Sequence, residues 1–138
     1  MTDGRHVTDG RRRISSGGPW EASAGYSRAM VVGDSCWVAG TTDAGPDGAS
    51  LHPDDPGAQA RAILEIIERA LAEGGFQLAD VVRTRMFVTD IAHADAVALV
   101  HGDVFGSIRP AATLVAVAAL MDPSLLVEIE AEARRGST

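Results

Sequence analysis

The segment that most constrains the fold is residues 125–133, in which apolar and acidic residues alternate strictly. Successive side chains of a β-strand point to opposite faces of the sheet. One face of this strand is therefore apolar, and the other carries Glu128, Glu130 and Glu132. Three adjacent carboxylates repel one another unless positive charge lies opposite them. The sequence predicts a strand with one buried face and one face that needs cationic partners.

The remaining elements follow from periodicity and turn residues. A helix begins at Pro56, with Asp55 as its N-cap, and ends before Gly74. Residues 17–25 and 40–55 are rich in Gly and Pro and indicate loops. In chain order we expect strands at residues 12–16, 26–32 and 35–39, a helix at 56–73, a strand at 81–89, a helix at about 90–105, and strands at 112–120 and 125–133. This order predicts an α+β fold of two layers, a mixed sheet with two helices on one face.

The strand at residues 81–89 supplies the positive charge that the glutamates need. Its alternation assigns Val82 and Met86 to the helix-covered face, and Val81, Arg83 and Arg85 to the other. Arginines and glutamates on neighbouring strands would then meet in pairs worth roughly 0.2–1 kcal/mol each. A face that is half apolar and half charged is unfavourable in water, so we expect another copy of the chain to cover it.

Length and composition restrict the functional class. The 138 residues suit one domain, at residues 11–135, after a flexible N-terminal tail at residues 1–10. A net charge of −7 argues against a nucleic-acid partner. A single cysteine, Cys36, excludes an intrachain disulfide and fits a reducing compartment. There is no apolar run long enough for a membrane span, no signal-peptide core and no metal-ligand spacing, so we expect a cytoplasmic protein without membrane or metal.

A series of short motifs between residues 13 and 133 carries a family resemblance. They are Gly25-Tyr26-Ser27, Ala39-Gly40-Thr41, Gln59-Ala60-Arg61, residues 80–84, residues 88–90, Arg109-Pro110-Ala111 and residues 127–131. Each motif is weak alone, whereas their order and spacing together are specific. On these motifs the chain resembles the reactive intermediate deaminases, the RidA or YjgF family formerly called endoribonuclease L-PSP.

The resemblance implies a chorismate-mutase-like fold and a homotrimer with small-molecule clefts between subunits. Deaminases of this family hydrolyse enamines and imines to a keto acid and ammonia without a cofactor. In them, a glutamate at the position of Glu128 helps to place the attacking water, and an arginine grips the substrate carboxylate. Such roles suit a carboxylate as a base and a guanidinium as a bidentate anion clamp.

The chain departs from the family at the position of that arginine. Where active members have Pro-Ala-Arg, this sequence has Pro110-Ala111-Ala112. Alanine has no group that binds a carboxylate, and Arg109 lies three residues earlier. Residues 15–21 and 101–105 resemble a subgroup of the family that lacks the arginine.

Glu128 is the candidate catalytic residue, with pairing to Arg83 or Arg85 as its alternative role. The candidates for substrate binding are Trp20, Tyr26, Thr41, His101, Arg109 and position Ala112. Most of them have an alternative role in structure. Trp20 and Tyr26 would pack or dock a neighbour, Thr41 would cap the loop, and His101 would be a satisfied core or interface histidine.

Three functions are therefore compatible with the sequence. The first is a hydrolase of the deaminase type, in which Glu128 places water. The second is a trimeric binder of small molecules, or a pathway accessory protein, that has lost catalysis. The third is an RNA-cleaving protein, as the older family name suggests, but the net charge and the lack of a catalytic His/Lys constellation weigh against it.

Overall fold

The computed structural model describes residues 10–136. Its six-stranded sheet has the order β1-β2-β3-β6-β4-β5. The strands are β1 (Arg11–Ile14), β2 (Ala29–Val32), β3 (Ser35–Thr41), β4 (Val81–Val88), β5 (Ala111–Ala116) and β6 (Val127–Arg134). The helices are α1 (Trp20–Ala24), α2 (Pro56–Glu73) and α3 (Ala94–Phe105), with 3-10 turns at Leu78–Asp80 and Ile91–His93. The expected tail at residues 1–10 lies outside the described residues, except for Gly10.

The sheet is mixed, as predicted. β4 and β5 are parallel, and every other pair of neighbouring strands is antiparallel. β5 and β6 are consecutive in the chain, but β4 lies between them. The two long helices, α2 and α3, pack on each other, and α2 also packs on β3 and β6. The α+β fold with helices on one face of the sheet is therefore confirmed.

Helix α2 forms as its sequence signals predict. The side chain of Asp55 accepts a hydrogen bond from the Ala58 N–H at 3.0 Å, and proline occupies the first turn. Ile63, Ile67 and Leu71 share one side of the helix and are fully buried. Burying each of these side chains contributes about 1.5–3 kcal/mol, which fixes the helix on the sheet.

The face assignment at the start of β4 was wrong. Val81 is buried and Val82 is 50% exposed, the reverse of the prediction. The pairing with β6 shifts between Val81 and Arg83, which is a β-bulge. Because a bulge inserts one extra residue, it reverses the alternation on one side of itself. Thr84, Met86 and Val88 beyond the bulge keep the predicted inward direction.

Several boundaries also differ from the prediction. Residues 17–25 are not entirely loop, because they contain α1, which ends at Gly25 in the left-handed conformation (φ 77°). β2 starts only at Ala29, and β5 ends at Ala116 rather than at residue 120. α3 begins at Ala94, after a 3-10 turn. Among residues 10–136, no helix has both the length and the apolarity to cross a bilayer.

Candidate functional site

Glu128 lies near the start of β6, in the middle of the sheet, on the face that the long helices leave uncovered. Its carboxylate reaches over Gly40 of the neighbouring strand β3. A Cβ at position 40 would overlap Oε2 of Glu128 and would stand 3.0 Å from its Cδ. The pairing of β3 with β6 is irregular between Val38 and Thr41, so Gly40 lies within that irregularity. The missing side chain at Gly40 thus creates the space that the carboxylate occupies.

Arg28, directly before β2, approaches Gly40 from the other side. Its Nη2 donates a hydrogen bond of 2.6 Å to the Gly40 carbonyl oxygen. The Arg28 carbonyl oxygen accepts a hydrogen bond from the Ala39 N–H, which fixes the Arg28 backbone against β3. The Nε atom of Arg28 is buried and has no hydrogen-bond partner among the described residues. Glu128, Gly40 and Arg28 form one contiguous group, which we call the Glu128 site.

The electrostatics of this site follow from partial burial. Burial raises the pKa of Glu128, repulsion from Glu130 raises it further, and attraction to Arg28 opposes both. Burial lowers the pKa of Arg28, whereas Tyr26, Glu21 and Glu128 raise it. The guanidinium nevertheless stays protonated, because arginine does not lose its proton in proteins. A half-buried carboxyl with a raised pKa beside a cation can order a water molecule and accept its proton.

Helix α1 lies near the site, since the charge of Glu21 attracts the Arg28 guanidinium. Glu21 accepts hydrogen bonds from the Ser15 hydroxyl at 2.9 Å, from the Ser16 N–H at 2.7 Å and from the Ser16 hydroxyl. Burial alone would raise the pKa of Glu21, but these hydrogen bonds hold it below its ordinary value. The Tyr26 N–H donates to the Glu21 carbonyl oxygen at 3.0 Å, so Tyr26 leaves the helix at the rim of the site. Sequence analysis did not single out Glu21.

An open cavity of about 610 Å³ adjoins this region on the uncovered face. Glu128, Gly40 and Arg28 do not line this cavity. The charged and aromatic side chains in its lining include those of Glu21, Tyr26, Trp37, Arg83, Arg85, Glu130 and Glu132. Tyr26 is 41% exposed there, whereas Trp20 at the start of α1 is 50% exposed and is not among the lining residues. A cavity with aromatic and charged walls on one sheet face suits a small polar ligand.

The predicted charge pairing across β4 and β6 is confirmed for Arg85, but it does not include Glu128. Nη1 of Arg85 lies 3.4 Å from Glu130 and 3.3 Å from Glu132. Glu128 stands opposite Phe87. The alternative role of Glu128, pairing with Arg83 or Arg85, was therefore wrong among the described residues. Glu130 and Glu132 both pair with Arg85.

Thr41 and His101 lie on the other face of the sheet. Thr41 is 1% exposed, and its hydroxyl donates to the Ala39 carbonyl oxygen at 2.8 Å, which is the local role given as its alternative. Nε2 of His101 shares a 2.8 Å hydrogen bond with the hydroxyl of buried Thr84, and its ring packs on Phe105 at 4.7 Å between centroids. Burial lowers the pKa of His101. Within one chain, neither residue joins the Glu128 site.

Ala112 and Arg109 are also remote from Glu128 within one chain. Ala112 on β5 pairs with Thr84 of β4, whereas Glu128 pairs with Phe87. Two strand spacings and three residues therefore separate the backbones, roughly 14 Å. Arg109 lies in the exposed turn before β5, with a left-handed backbone (φ 56°), and its N–H donates to the Phe105 carbonyl oxygen. Within one chain, Ala112 and Arg109 therefore do not lie in the Glu128 site.

Arg28 is the candidate site residue that sequence reasoning missed. It stands two residues after Tyr26 and directly before the apolar strand residues 29–32. This position could have marked Arg28 as a candidate site residue, since a charge at the end of an apolar strand needs an anion or water nearby. The described residues contain no cluster of His, Cys, Asp and Glu side chains suited to a metal ion.

The fold and this geometry define a class: an α+β protein with a carboxylate–guanidinium site on an uncovered sheet face. Comparison with known proteins identifies the family. The family model described as Endoribonuclease L-PSP matches residues 19–135. The chain belongs to this family, also called RidA or YjgF, as the motifs indicated.

Individual relatives agree with this assignment. A crystal structure of a Mycobacterium tuberculosis member of the YjgF/YER057c/UK114 family is 49% identical, with a TM-score of 0.82, covering 91% of this chain and 99% of the other. An uncharacterized protein of Streptomyces coelicolor is 39% identical over 91% of this chain and 93% of its own length. A RutC family protein of Pyrococcus abyssi is 32% identical over 77% of this chain and 83% of its own.

Proposed function

We propose that this protein is a cofactor-independent hydrolase of the deaminase type, which acts on enamines, imines or related small metabolites. The observation that carries the proposal is the half-buried carboxylate of Glu128, which lies over Gly40 beside the guanidinium of Arg28. Its raised pKa brings the carboxyl closer to the range in which a base both accepts and returns a proton.

The reaction needs only water and one group that exchanges protons. Glu128 takes a proton from water while the oxygen attacks the C=N carbon and the nitrogen acquires a proton from solvent. The resulting carbinolamine then breaks its C–N bond as Glu128 returns its proton to the leaving nitrogen. The hydroxyl oxygen releases its proton to solvent as the C=O bond forms, which replaces the proton that the nitrogen took from solvent. The products are ammonia and a carbonyl compound, and the enzyme regains its initial state. An enamine enters the same sequence after tautomerising to the imine.

We propose further that the working form is a homotrimer with the site completed between subunits. Two features support this assembly. β5 is exposed at every residue except Leu114, although it is rich in apolar residues. Position 112 lies far from Glu128 within one chain, so a ligand could contact both only if one of them came from a neighbour. An exposed apolar strand is stabilised when a second copy covers it.

The test is release of ammonia and keto acid from freshly generated amino-acid imines by wild type, Glu128→Gln and Glu65→Gln. The Glu65 variant is the control, because it removes a carboxylate from the exposed side of α2, which does not line the cavity. We expect turnover in wild type and in Glu65→Gln, with a loss of about 100-fold or more in Glu128→Gln. Wild-type turnover no faster than the uncatalysed reaction would refute the hydrolase and favour the non-catalytic binder.

A further inference from the structure

Arg28 is a half-buried cation that the chain itself leaves incompletely satisfied. A guanidinium offers several N–H donors in a planar fork. The contact with the Gly40 carbonyl oxygen uses one of them, and Nε is buried without a partner among the described residues. No carboxylate of the described residues lies within ion-pair distance of Arg28. A buried charge without an ion pair is costly, and the cost is recovered when an anion binds.

We infer that Arg28 binds the carboxylate group of a small ligand, and so supplies the anion clamp that Ala112 does not provide. The assignment rests on the proposed function only in placing the ligand beside Glu128. Binding of the carboxylate itself requires no catalysis. A guanidinium and a carboxylate fit as a bidentate pair. A ligand held this way would lie beside the Glu128 carboxylate, since Arg28 and Glu128 both contact Gly40.

The surrounding charges restrict the ligand to a singly charged anion. Glu21 and Glu128 both attract Arg28, and Glu130 repels Glu128. The carboxylate of Glu21 is already satisfied by three hydrogen bonds from Ser15 and Ser16. A dianion such as phosphate would meet two carboxylates for one guanidinium, so a monocarboxylate is favoured.

The same charges couple ligand binding to protonation. An anion on Arg28 neutralises the group that holds the pKa of Glu128 down, and it adds a negative charge beside Glu128. Glu128 therefore binds its proton more tightly in the complex than in the free protein. By linkage, affinity for the carboxylate rises as pH falls towards the pKa of Glu128. Besides Glu128, the titratable groups that face Arg28 are Tyr26 and Glu21.

The experiment is a titration of the assembled wild-type protein with benzoate and with its neutral isostere benzamide, by calorimetry. The variants are Arg28→Gln, Arg28→Lys and the control Arg61→Gln. Arg61 also makes a single close contact, to Asp103 at 2.9 Å, but it lies on α2 on the opposite face of the sheet. We expect benzoate to bind about 10- to 100-fold more weakly to Arg28→Gln, with an unchanged Kd in Arg61→Gln.

Arg28→Lys keeps the charge but loses the planar fork, so benzoate should bind it more weakly than wild type but more tightly than Arg28→Gln. This variant keeps the test possible if Arg28→Gln does not fold. In wild type, benzoate affinity should rise as pH falls, and this dependence should vanish in Glu128→Gln. Equal affinity of wild type and both Arg28 variants would overturn the assignment, as would a wild type that binds benzoate no better than benzamide. A change in oligomeric state with intact benzoate binding would also overturn it, because Arg28 would then serve a neighbouring subunit.

The two proposals fail in different ways. If benzoate binding depends on Arg28 but imines are not turned over, the hydrolase proposal is refuted and the anion-site proposal stands. If Arg28→Gln keeps both imine turnover and benzoate affinity, the anion-site proposal is refuted and the hydrolase proposal stands.

Discussion

The side chain of Gln59 joins three segments of the fold, and its replacement gives the sharpest test of how the Glu128 site is held. Gln59 is fully buried on α2. Its Nε2 donates to the carbonyl oxygens of His52 at 3.1 Å and Ser124 at 2.9 Å. Its Oε1 accepts from the Leu126 N–H at 2.8 Å. One amide therefore fixes the loop before α2 and the turn that leads into β6.

We predict that Gln59→Met destabilises the protein by about 3–5 kcal/mol. Methionine has nearly the volume of glutamine, so no large cavity forms and the loss comes from hydrogen bonds. Three bonds contribute roughly 1 kcal/mol each, and backbone groups left unpaired in a partly buried place add to that. This is a large share of the 5–15 kcal/mol of total stability that is typical of a domain. Because Leu126 precedes β6 directly, Glu128 should also lose its fixed position.

Urea unfolding at a single protomer concentration measures the effect, since oligomerisation makes the midpoint depend on concentration. With a slope of about 2 kcal/mol per M, the midpoint should fall by roughly 1.5 M or more. Arg69→Met is the matched control, because Arg69 lies on the exposed side of α2 and should change stability by less than about 0.5 kcal/mol. A midpoint for Gln59→Met equal to that of Arg69→Met would refute the reasoning.

Three further predictions concern single residues. Gly40→Ala should displace the Glu128 carboxylate and lower kcat/KM for imine hydrolysis by about 10- to 100-fold. The free energy of unfolding should change by less than about 1 kcal/mol, because the flexible Glu128 side chain can move. An unchanged kcat/KM would contradict this. Cys36 is buried, and burial raises its pKa to about 11, so a thiol reagent should label it only after urea unfolds the chain. Burial lowers the pKa of His101, so its contribution to stability is complete above the unfolded-state pKa and is lost as pH falls; His101→Gln should reduce the acid sensitivity of urea midpoints between pH 7 and about pH 5.

Much of the fold was predictable because its signals are local. The N-cap at Asp55 and the buried stripe of Ile63 and Ile67 mark α2, since capping and helical period act within a few residues. The alternation of β6 and its pairing with the arginines of β4 followed from strand geometry and charge. The irregular start of β4 was not predictable, because a bulge at Val81 leaves no periodic signal within its own strand.

The sequence by itself thus determined the main strands, the two long helices, the family and the choice of Glu128 as a candidate. Only the tertiary structure decided what lies beside that carboxylate. Arg28, Gly40 and Glu128 come from three different parts of the chain, and they meet because β3 lies between β2 and β6. Strand order and register depend on how the whole apolar core packs, and no local pattern encodes them. The same packing puts β4 between β5 and β6, which separates Ala112 from Glu128 within one chain.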